Sequence, residues 1–460
     1  MVEDSQHTAE SNTNRRTILK SLTAVGVGTA SLSGCLGNSG GSSGGDTESG
    51  GSDDSGNSDS DSNSGDDSGS TTGSELEVLH GWTGGDGAKA IEDLTSGFKE
   101  EYPSVPTDFR PIGGSANTSL NTVVSKRLSN RNPPSSFAGW PGENLTKYDG
   151  VLGDVTDSVW KEAGFEDTQV EEATELCKYN GKYVAVPIGS HRMNCLFYNV
   201  SVLEEAGVDP ESLTGMDALF EAMDKVAENT DAAPMAHAMK APYSTLQLWA
   251  AVMLGQEGFQ PYMDFIGGNG DEAALERAFE TTKQILTDYI TDDASSIGFT
   301  TANQKVMDGE AAFIHQGNWV VGMYNGADLT YNEDWGFEPF PGTDGMYGLH
   351  LDAFIYTADN PSPENSAKWL QHVGSREAQV GFNELKGSIP TRNDVDPSQF
   401  SEYFAETIKD FQNAEHKPPT LAHGLAVGPN KLSDLKGVIT SQFTGPYNSQ
   451  QAAQQFLDTV

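Results

Sequence analysis

The stretch Leu76–Gly87, LEVLHGWTGGDG, indicates the fold class, because an alternating apolar segment leads into a glycine-rich turn. Its first four residues alternate in hydropathy, as the residues of a half-buried strand do. Behind the turn, apolar side chains recur at helical spacing until Pro103, at Ile91, Leu94, Phe98 and Tyr102. A second strand is predicted at Thr107–Pro111. A strand, a turn, a helix and a strand form a βαβ unit, which is typical of α/β proteins.

The rest of the chain continues with short strands between longer helices. Asn180-Gly181 predicts a tight turn between two strands, and Ala311–His315 predicts a buried strand. Residues 75–460 are too many for one compact core, so we expect an α/β protein with two lobes and a ligand cleft between them. Helices are predicted at 200–207, 215–229, 243–256, 271–290, 301–309, 363–384, 399–414 and 449–460.

The N-terminus predicts an export signal. Arg15-Arg16 precedes a short apolar run, Leu22–Leu32, that is too short to span a membrane as a helix. The twin arginines resemble a Tat signal, and Leu32–Cys35 (LSGC) resembles a lipobox, in which the cysteine becomes the lipidated first residue of the mature chain. We therefore expect residues 1–34 to be a Tat-type lipoprotein signal peptide.

The next segment, residues 35–74, predicts a tether that starts at the lipidated Cys35. After the lipobox it contains almost only Gly, Ser, Asp, Asn and Thr. Such a composition offers no apolar face that could offset the entropy lost on ordering, so we interpret the segment as a disordered linker.

Charge excludes one class of partner. The 460 residues include 27 Lys+Arg and 67 Asp+Glu, which gives a formal net charge of −40. Such a chain repels phosphate backbones, so nucleic-acid binding is excluded. The acids are scattered along the chain and not clustered, which favours a solvated surface adapted to high salt over a highly acidic mesophilic secreted protein.

Cysteine and histidine spacing indicates no metal site. The three cysteines are Cys35, Cys177 and Cys195, and no CxxC pair or Cys/His cluster has the spacing of metal ligands. Cys177 and Cys195 could pair outside the cell, but the favoured interpretation is two small buried thiols. We expect neither a metal nor a cofactor.

Five stretches occur in the order in which they occur in one family of transport proteins. They are LEVLHGWTGGDG at 76–87, KYVAVPIGSHRMN at 182–194, GEAAFIHQGNWVVGMY at 309–324, FNELKGSIPTR at 382–392 and LAHG at 421–424. With them, the chain resembles the extracellular solute-binding lipoproteins of ABC sugar importers. It is most similar to the glucose/mannose-binding branch of the family that contains maltose-binding proteins. Together with the acidic composition, this resemblance implies a halophilic archaeon as the source.

The resemblance implies two α/β lobes that close around a sugar by hinge motion. Hinge crossings are expected near Pro187–Gly189 and near Pro341–Gly345. The resemblance assigns lobe one to residues 75–187 plus 345–395 and lobe two to residues 188–344 plus 396–460.

The resemblance also implies what the protein does. It would bind a monosaccharide such as glucose or mannose and deliver it to the permease and ATPase subunits of an ABC importer, without catalysis. It would act as a monomer, lipid-anchored on the extracellular face of the cell membrane.

A sugar site needs aromatic rings for the apolar faces of a pyranose, and charged or amide groups for its hydroxyls. From residue type and family position together, we expect the ligand to contact Trp82, Asp86, Trp140, Asn144, His191, Gln247, Trp249, Asn318, Trp319, Asp352, Lys386 and His423.

Several of these residues have a second interpretation. Asp86 could cap the helix that follows it, and Trp249 and Trp319 could be core residues. Lys386 could pair with Asp352, an isolated acid in an apolar strand that must have a partner. The branch of the family that this chain resembles carries a histidine where Trp140 stands, which leaves the identity of the sugar open.

Three functions besides sugar transport remain open at this level. A secreted polysaccharide hydrolase or lyase would need two facing carboxylates, which spacing alone does not exclude. However, no HExxH motif, P-loop or credible nucleophile elbow occurs. A binding protein for a different small solute is the second of these functions, and a tethered surface adhesin is the third.

Overall fold

The computed structural model describes residues 74–84, 87–113 and 117–460. The predicted signal peptide, the lipidated Cys35 and the linker up to residue 73 lie outside the described residues, and so does Asp86.

The strands of the described chain form two main sheets and one hairpin. They are β1 (Leu76–His80), β2 (Thr107–Pro111), β3 (Ser136–Gly139), β4 (Lys178–Tyr179), β5 (Lys182–Tyr183), β6 (Ala185–Arg192), β7 (Cys195–Asn199), β8 (Ala233–Ala236), β9 (Ala311–Gln316), β10 (Trp335–Pro339) and β11 (Leu349–Tyr356).

The first sheet has the strand order β2-β1-β3-β11-β6. Strand β1 runs parallel to β2 and β3, while β11 runs antiparallel to β3 and β6. The second sheet has the order β10-β7-β9-β8, in which only the β8–β9 pair is parallel. Hairpin β4–β5 turns at Asn180 and Gly181, whose φ angles of 50° and 75° suit the Asn-Gly turn that the sequence predicts.

Helices cover both sheets, and most carry one apolar face, as Ala90, Ile91, Leu94 and Phe98 do in the first. They are α1 (Ala88–Glu101), α2 (Thr118–Ser129), α3 (Phe165–Thr168), α4 (Glu171–Leu176), α5 (Val200–Ala206), α6 (Met216–Asn229), α7 (Pro242–Glu257), α8 (Phe259–Ile266), α9 (Glu272–Asp288), α10 (Phe299–Met307), α11 (Val321–Gly326), α12 (Pro363–Val373), α13 (Arg376–Lys386), α14 (Glu402–Asn413), α15 (Pro429–Gln442) and α16 (Ser449–Thr459).

The structure differs from the sequence expectation in several elements, and it contains the short helices α3 and α4 and the strand β8, none of which was predicted. The helix predicted at 363–384 is two helices, α12 and α13, separated at Gly374-Ser375, where Ser375 caps the second by accepting from the amide of Ala378. Helices α8 and α15 were not predicted. The sequence of α15 carries only a weak apolar stripe, and Gly437 interrupts it.

The chain passes from one sheet to the other at two points. Strand β6 stays in the first sheet up to Arg192, so the first crossing lies at Met193–Asn194 and not at Pro187–Gly189, where we expected it. The second crossing lies between β10 and β11, at residues 340–348, and includes the expected segment Pro341–Gly345.

Asn194 links these two crossings. Its side-chain Nδ2 donates to Thr343 Oγ1 (2.8 Å) and to the Met346 carbonyl (3.1 Å), and its Oδ1 accepts from the amide of Gly348 (2.8 Å). The amide of Phe340 donates to the Asn194 carbonyl at 2.8 Å. One buried side chain therefore holds both crossover segments together.

Separate apolar clusters support the two sheets. Phe98, Phe137 and Trp369 belong to a cluster on the first sheet. Trp249 and Phe279 belong to another, formed mainly by helices α6, α7, α9, α15 and α16. A third cluster contains residues of both sheets, among them Phe197 of β7 and Leu351 of β11. The separate cluster of each sheet agrees with the two-lobed architecture expected from chain length.

The two cysteines of the described chain are free thiols. Cys177 and Cys195 are both buried and unbonded, as the favoured interpretation predicted. Burial raises the pKa of the Cys195 thiol to about 12, so it stays protonated.

Among the residues that the structure describes, no helix combines the length and apolarity needed to cross a membrane.

Candidate functional site

A cavity of about 590 Å³ lies between the two sheets and is lined by both. The first sheet contributes the turn after β1, the end of β3 and residues of β6 and β11. The second contributes the segment after β8, the start of α10 and the turn after β9. The volume falls within the range of small-molecule sites, which often lie between domains. Its lining side chains include Trp82, Asn117, Trp140, His191, Lys240, Tyr243, Ser244, Phe299, Thr300, Trp319, His350, Asp352, Lys386 and His423.

Asp352 is the acidic centre of the cavity, although it is only 6% exposed. Its Oδ1 accepts from Trp140 Nε1 at 3.1 Å, and its Oδ2 lies 3.1 Å from His191 Nε2. His350 Nε2 lies 3.6 Å from Oδ1. Burial by itself raises the pKa of this carboxyl, but the imidazoles of His191 and His350 outweigh burial and hold the pKa well below the usual range. Asp352 is therefore an ionised acceptor.

His191 connects Asp352 to Asn318. Its Nδ1 lies 2.7 Å from Asn318 Oδ1, on the ring side opposite the carboxylate. Burial lowers the pKa of His191, and the positive charge of Lys386 acts in the same direction, which outweighs the attraction of Asp352. The imidazole is therefore neutral at pH 7.

Indole and imidazole rings surround the carboxylate. Trp140 packs edge-on against His350 and His423, with ring centroids 5.4 Å and 5.1 Å apart. Trp319 packs edge-on against His191 (5.6 Å) and His423 (5.3 Å). Such rings present apolar area next to a few fixed polar atoms, which is what a sugar ring needs.

Trp82 lies in the glycine-rich turn after β1, where we expected a ring at the cavity. It packs edge-on against Phe354 and Phe382 of the first sheet's core. A side chain at Gly81 would overlap the Asn117 carboxamide, so glycine is needed there to bring Asn117 close to the turn. This close approach explains the glycine at position 81.

Seven of the predicted residues line the cavity, and two more lie directly behind it. Asn318 contacts His191, and Asn144 donates from Nδ2 to the His423 carbonyl at 2.7 Å. Neither asparagine is among the residues that line the cavity, so both hold cavity residues from behind. The seven are Trp82, Trp140, His191, Trp319, Asp352, Lys386 and His423.

Gln247 and Trp249 lie away from the cavity, which corrects the sequence expectation. Trp249 is fully buried in a core cluster, where its ring stacks on Phe279 with centroids 5.0 Å apart. Gln247 is buried on the same helix, beside a separate void of about 20 Å³. Residues 243–254 of helix α7 are buried without a break, so it has no polar face that distinguishes a ligand contact.

Sequence reasoning missed seven of the lining side chains, namely Asn117, Lys240, Tyr243, Ser244, Phe299, Thr300 and His350. One signal was present for His350, because it stands two residues before Asp352 on β11 and therefore shares its face of the sheet. The other six lie at helix starts or in loops, where no periodic pattern marks them. Within residues 74–84, 87–113 and 117–460, no group of three or more His, Cys, Asp or Glu side chains could hold a metal ion.

Comparison with a protein-family model gives a match over most of the chain. The model of the bacterial extracellular solute-binding proteins matches residues 123–418. The chain is also 49% identical over 453 residues to the xylose/arabinose-binding protein XacG of Haloferax volcanii, an alignment that covers 98% of each protein. It is 21% identical to the glucose-binding protein GlcS of Saccharolobus solfataricus, over 70% of this chain and 62% of that protein.

Solved structures give the same fold. The galactopyranose receptor AcbH superposes with a TM-score of 0.73 at 18% identity, over 84% of this chain and 97% of that one. Maltose-bound MalE3 of T. maritima superposes with a TM-score of 0.68 at 16% identity, over 84% and 98%. The two-lobed α/β binding-protein fold predicted from the sequence is confirmed.

Proposed function

Because the chain belongs to the family of bacterial extracellular solute-binding proteins, we propose that it binds a monosaccharide in the cavity around Asp352 and delivers it to an ABC importer. Membership of this family makes the protein a binding protein and not an enzyme. The resemblance inferred from the five sequence stretches is therefore correct at the level of the family.

One observation carries the choice of a sugar. A buried, ionised carboxylate borders a cavity whose walls are indole and imidazole rings. The protein gives Asp352 two hydrogen-bond partners, Trp140 Nε1 and His191 Nε2. Each carboxylate oxygen can accept more than one hydrogen bond. The remaining acceptor capacity suits sugar hydroxyl groups, and the rings suit the C–H faces of a pyranose or furanose.

Among sugars, an aldopentose is our first candidate. The relative XacG, 49% identical over nearly the whole chain, is named for xylose and arabinose. Glucose and mannose, to which the sequence resemblance pointed, are the second candidates. A different small solute remains the alternative for the same cavity.

The test is a titration of the full chain in molar salt with xylose, arabinose, glucose, mannose, galactose and maltose. Tryptophan fluorescence reports binding, because three tryptophans line the cavity. A sugar at 100 times its Kd stabilises the folded state by about 2.7 kcal/mol, which gives a measurable rise in Tm. We expect one monosaccharide to bind and the Asp352→Asn variant to lose it.

The matched control is Asp157→Asn, because Asp157 is an exposed acid in a surface pair with Lys161. It should bind as the wild type does. If no sugar in the panel shifts Tm, the monosaccharide proposal is wrong and a wider solute panel, or an adhesin role, takes its place.

We also propose that the protein is held on the outer face of the membrane through Cys35, acts as a monomer and passes its sugar to a permease. Support comes from Arg15-Arg16, the LSGC segment and the Gly/Ser/Asp-rich stretch behind it. Expression of a Cys35→Ser variant in a halophilic host should release the protein into the medium. An Arg15→Lys, Arg16→Lys variant should block export. Retention of Cys35→Ser at the membrane would contradict the lipid anchor.

A further inference from the structure

Three polar side chains form a row that leads from the cavity wall, at Asp352 and His191, to Asn318 behind it. Asn318 Oδ1 is 2.7 Å from His191 Nδ1, and His191 Nε2 is 3.1 Å from Asp352 Oδ2. Asn318 is fully buried and His191 is 1% exposed, so water has little access to either. The hydrogen bonds of the row must therefore be matched within the protein.

A neutral imidazole has one N–H, and it can donate at one end only. Asp352 is ionised and accepts hydrogen bonds, so the proton on His191 belongs on Nε2, where it faces the carboxylate. Nδ1 is then an acceptor. An oxygen of Asn318 at 2.7 Å would place two acceptors against each other, whereas the amide nitrogen at that position would donate.

The surroundings of Tyr403 support a rotated Asn318 carboxamide, with the nitrogen towards His191 and the oxygen towards Tyr403. Its hydroxyl lies beside the Asn318 carboxamide, in a fully buried position. With the amide nitrogen pointing to Tyr403, both Asn318 Nδ2 and Tyr403 Oη are without a well-formed hydrogen bond. With the amide turned, Asn318 Oδ1 can accept from the Tyr403 hydroxyl while Nδ2 donates to His191 Nδ1. One rotation then satisfies both ends of the carboxamide.

We propose that Asn318 is a positioning residue, whose amide donates to His191 Nδ1, fixes the Nε2–H tautomer and thereby keeps Asp352 an ionised acceptor towards the cavity. The role in ligand binding rests on the proposed function, but the tautomer itself does not. The ligand is then read through hydroxyl groups that donate to Asp352, which favours neutral sugars over sugars that carry a carboxylate or phosphate beside that position.

Other charged and titratable groups face the same imidazole. Asp352 and His350 face it from β11, and Lys386 faces it from the end of α13. His423, from the segment before α15, lies close enough to Asp352 and His191 for their charges to act on it. A pH profile of the wild type alone would therefore mix several groups, so the test compares variants and observes His191 directly.

The direct test is an ¹⁵N NMR spectrum of the sugar-free full chain, labelled at histidine. The His191 signals are those that disappear in His191→Asn. We expect a protonated Nε2 and an unprotonated Nδ1 at pH 7. A protonated Nδ1, alone or together with Nε2, overturns the proposal. Because no sugar is present, this result is independent of whether the proposed function is correct.

The second test replaces the amide by a carboxylate. In Asn318→Asp both neighbours of His191 accept, so the ring should take a second proton and its pKa should rise. With xylose as the probe, the affinity of this variant should fall about tenfold more than that of the wild type as pH rises from about 6 to about 9, where the ring loses that proton.

Asn303→Asp is the matched control. Asn303, on helix α10, is equally buried, but its Oδ1 accepts from the hydroxyl of Tyr324 on α11 at 2.8 Å. This variant should keep the wild-type His191 spectrum. If Asn318→Asp shows the same His191 protonation as Asn303→Asp, the positioning role is wrong, even where both variants bind xylose.

Discussion

Arg192 and Asp410 form an ion pair, with 2.5 Å between Nη1 and Oδ2, that joins the end of β6 to helix α14. Arg192 is 3% exposed, and its Nη2 donates to the Met346 carbonyl at 3.1 Å. Its guanidinium also lies over the rings of Phe337 and Tyr347. The pair therefore connects the first crossover, the second crossover and a helix outside both sheets.

Loss of the Asp410 charge should destabilise the fold, because it leaves a buried guanidinium without its counter-charge. We expect Asp410→Asn to lower the free energy of unfolding by about 2 kcal/mol, less than for a fully buried pair because Asp410 is partly exposed. Urea denaturation at constant molar salt measures this. Asp157→Asn, in the exposed pair with Lys161, should change it by less than about 0.5 kcal/mol. Equal changes in the free energy of unfolding for the two variants would show that the Arg192–Asp410 pair stabilises the fold no more than an exposed pair does.

Asn194 should be the most sensitive polar residue of the crossovers. Asn194→Ala removes the hydrogen bonds to Thr343, Met346 and Gly348 and leaves the buried amide of Gly348 without its acceptor. We expect a loss of about 3 kcal/mol in the free energy of unfolding, measured by urea denaturation. Asn325→Ala, at an exposed helix position with a long 3.5 Å contact, is the control and should be neutral. A neutral Asn194→Ala would contradict the linking role.

Much of the fold could be predicted from local patterns. The β1 strand and the hairpin turn at Asn180-Gly181 depend on alternation and on turn chemistry, both of which are local. Asp352 could be predicted as a functional residue for a physical reason, because an isolated acid in the apolar strand β11 must find partners. The structure supplies them as Trp140 and His191.

The remainder depends on tertiary packing. Trp249 stands in the middle of helix α7 and Trp319 at the start of a helical segment after β9, and only Trp319 reaches the cavity. Helix α7 is buried almost all round, so no periodicity could show where Trp249 points. The first crossing also lies beyond the expected place, because β6 keeps its pairing with β11 up to Arg192.

Trp140 should contribute to sugar binding through its N–H as well as its ring. Trp140→Phe keeps an aromatic ring but removes the donor to Asp352 Oδ1. We expect the affinity for the sugar identified by titration to fall about tenfold, as for the loss of one hydrogen bond to a charged group. Fluorescence titration in molar salt measures the Kd.

The matched control for that variant is Trp160→Phe. Trp160 is equally an indole with a buried donor, which bonds to the Ala185 carbonyl at 2.9 Å, but it lies in the core of the first sheet. It should lower stability and leave the Kd of the folded protein unchanged. A Trp140→Phe variant with wild-type affinity would show that the Asp352 carboxylate does not need this donor.

Acid should destabilise the protein through its buried histidines. Burial lowers the pKa of His237 to about 3 and that of His315 to about 4, whereas an unfolded histidine has a pKa near 6.5. Below about pH 6.5 the unfolded state therefore binds more protons than the folded state, and stability falls with pH until the folded pKa is reached. The contribution of these two histidines to the free energy of unfolding is complete above about pH 6.5. It is lost as the pH falls towards their folded pKa values, about 4 for His315 and about 3 for His237.

His237→Gln should reduce this acid sensitivity. His237 contributes about 2 kcal/mol to the loss of stability between about pH 7 and about pH 5. Over this interval, the fall in the free energy of unfolding should therefore be about 2 kcal/mol smaller for the variant than for the wild type. Urea denaturation in molar salt at the two pH values gives the difference. Thr245→Val, which removes the hydroxyl 3.2 Å from His237 Nε2 but no titratable group, should lower stability by the same amount at both pH values. An unchanged pH dependence in His237→Gln would mean that His237 can take up its proton without unfolding, because the core around it admits water.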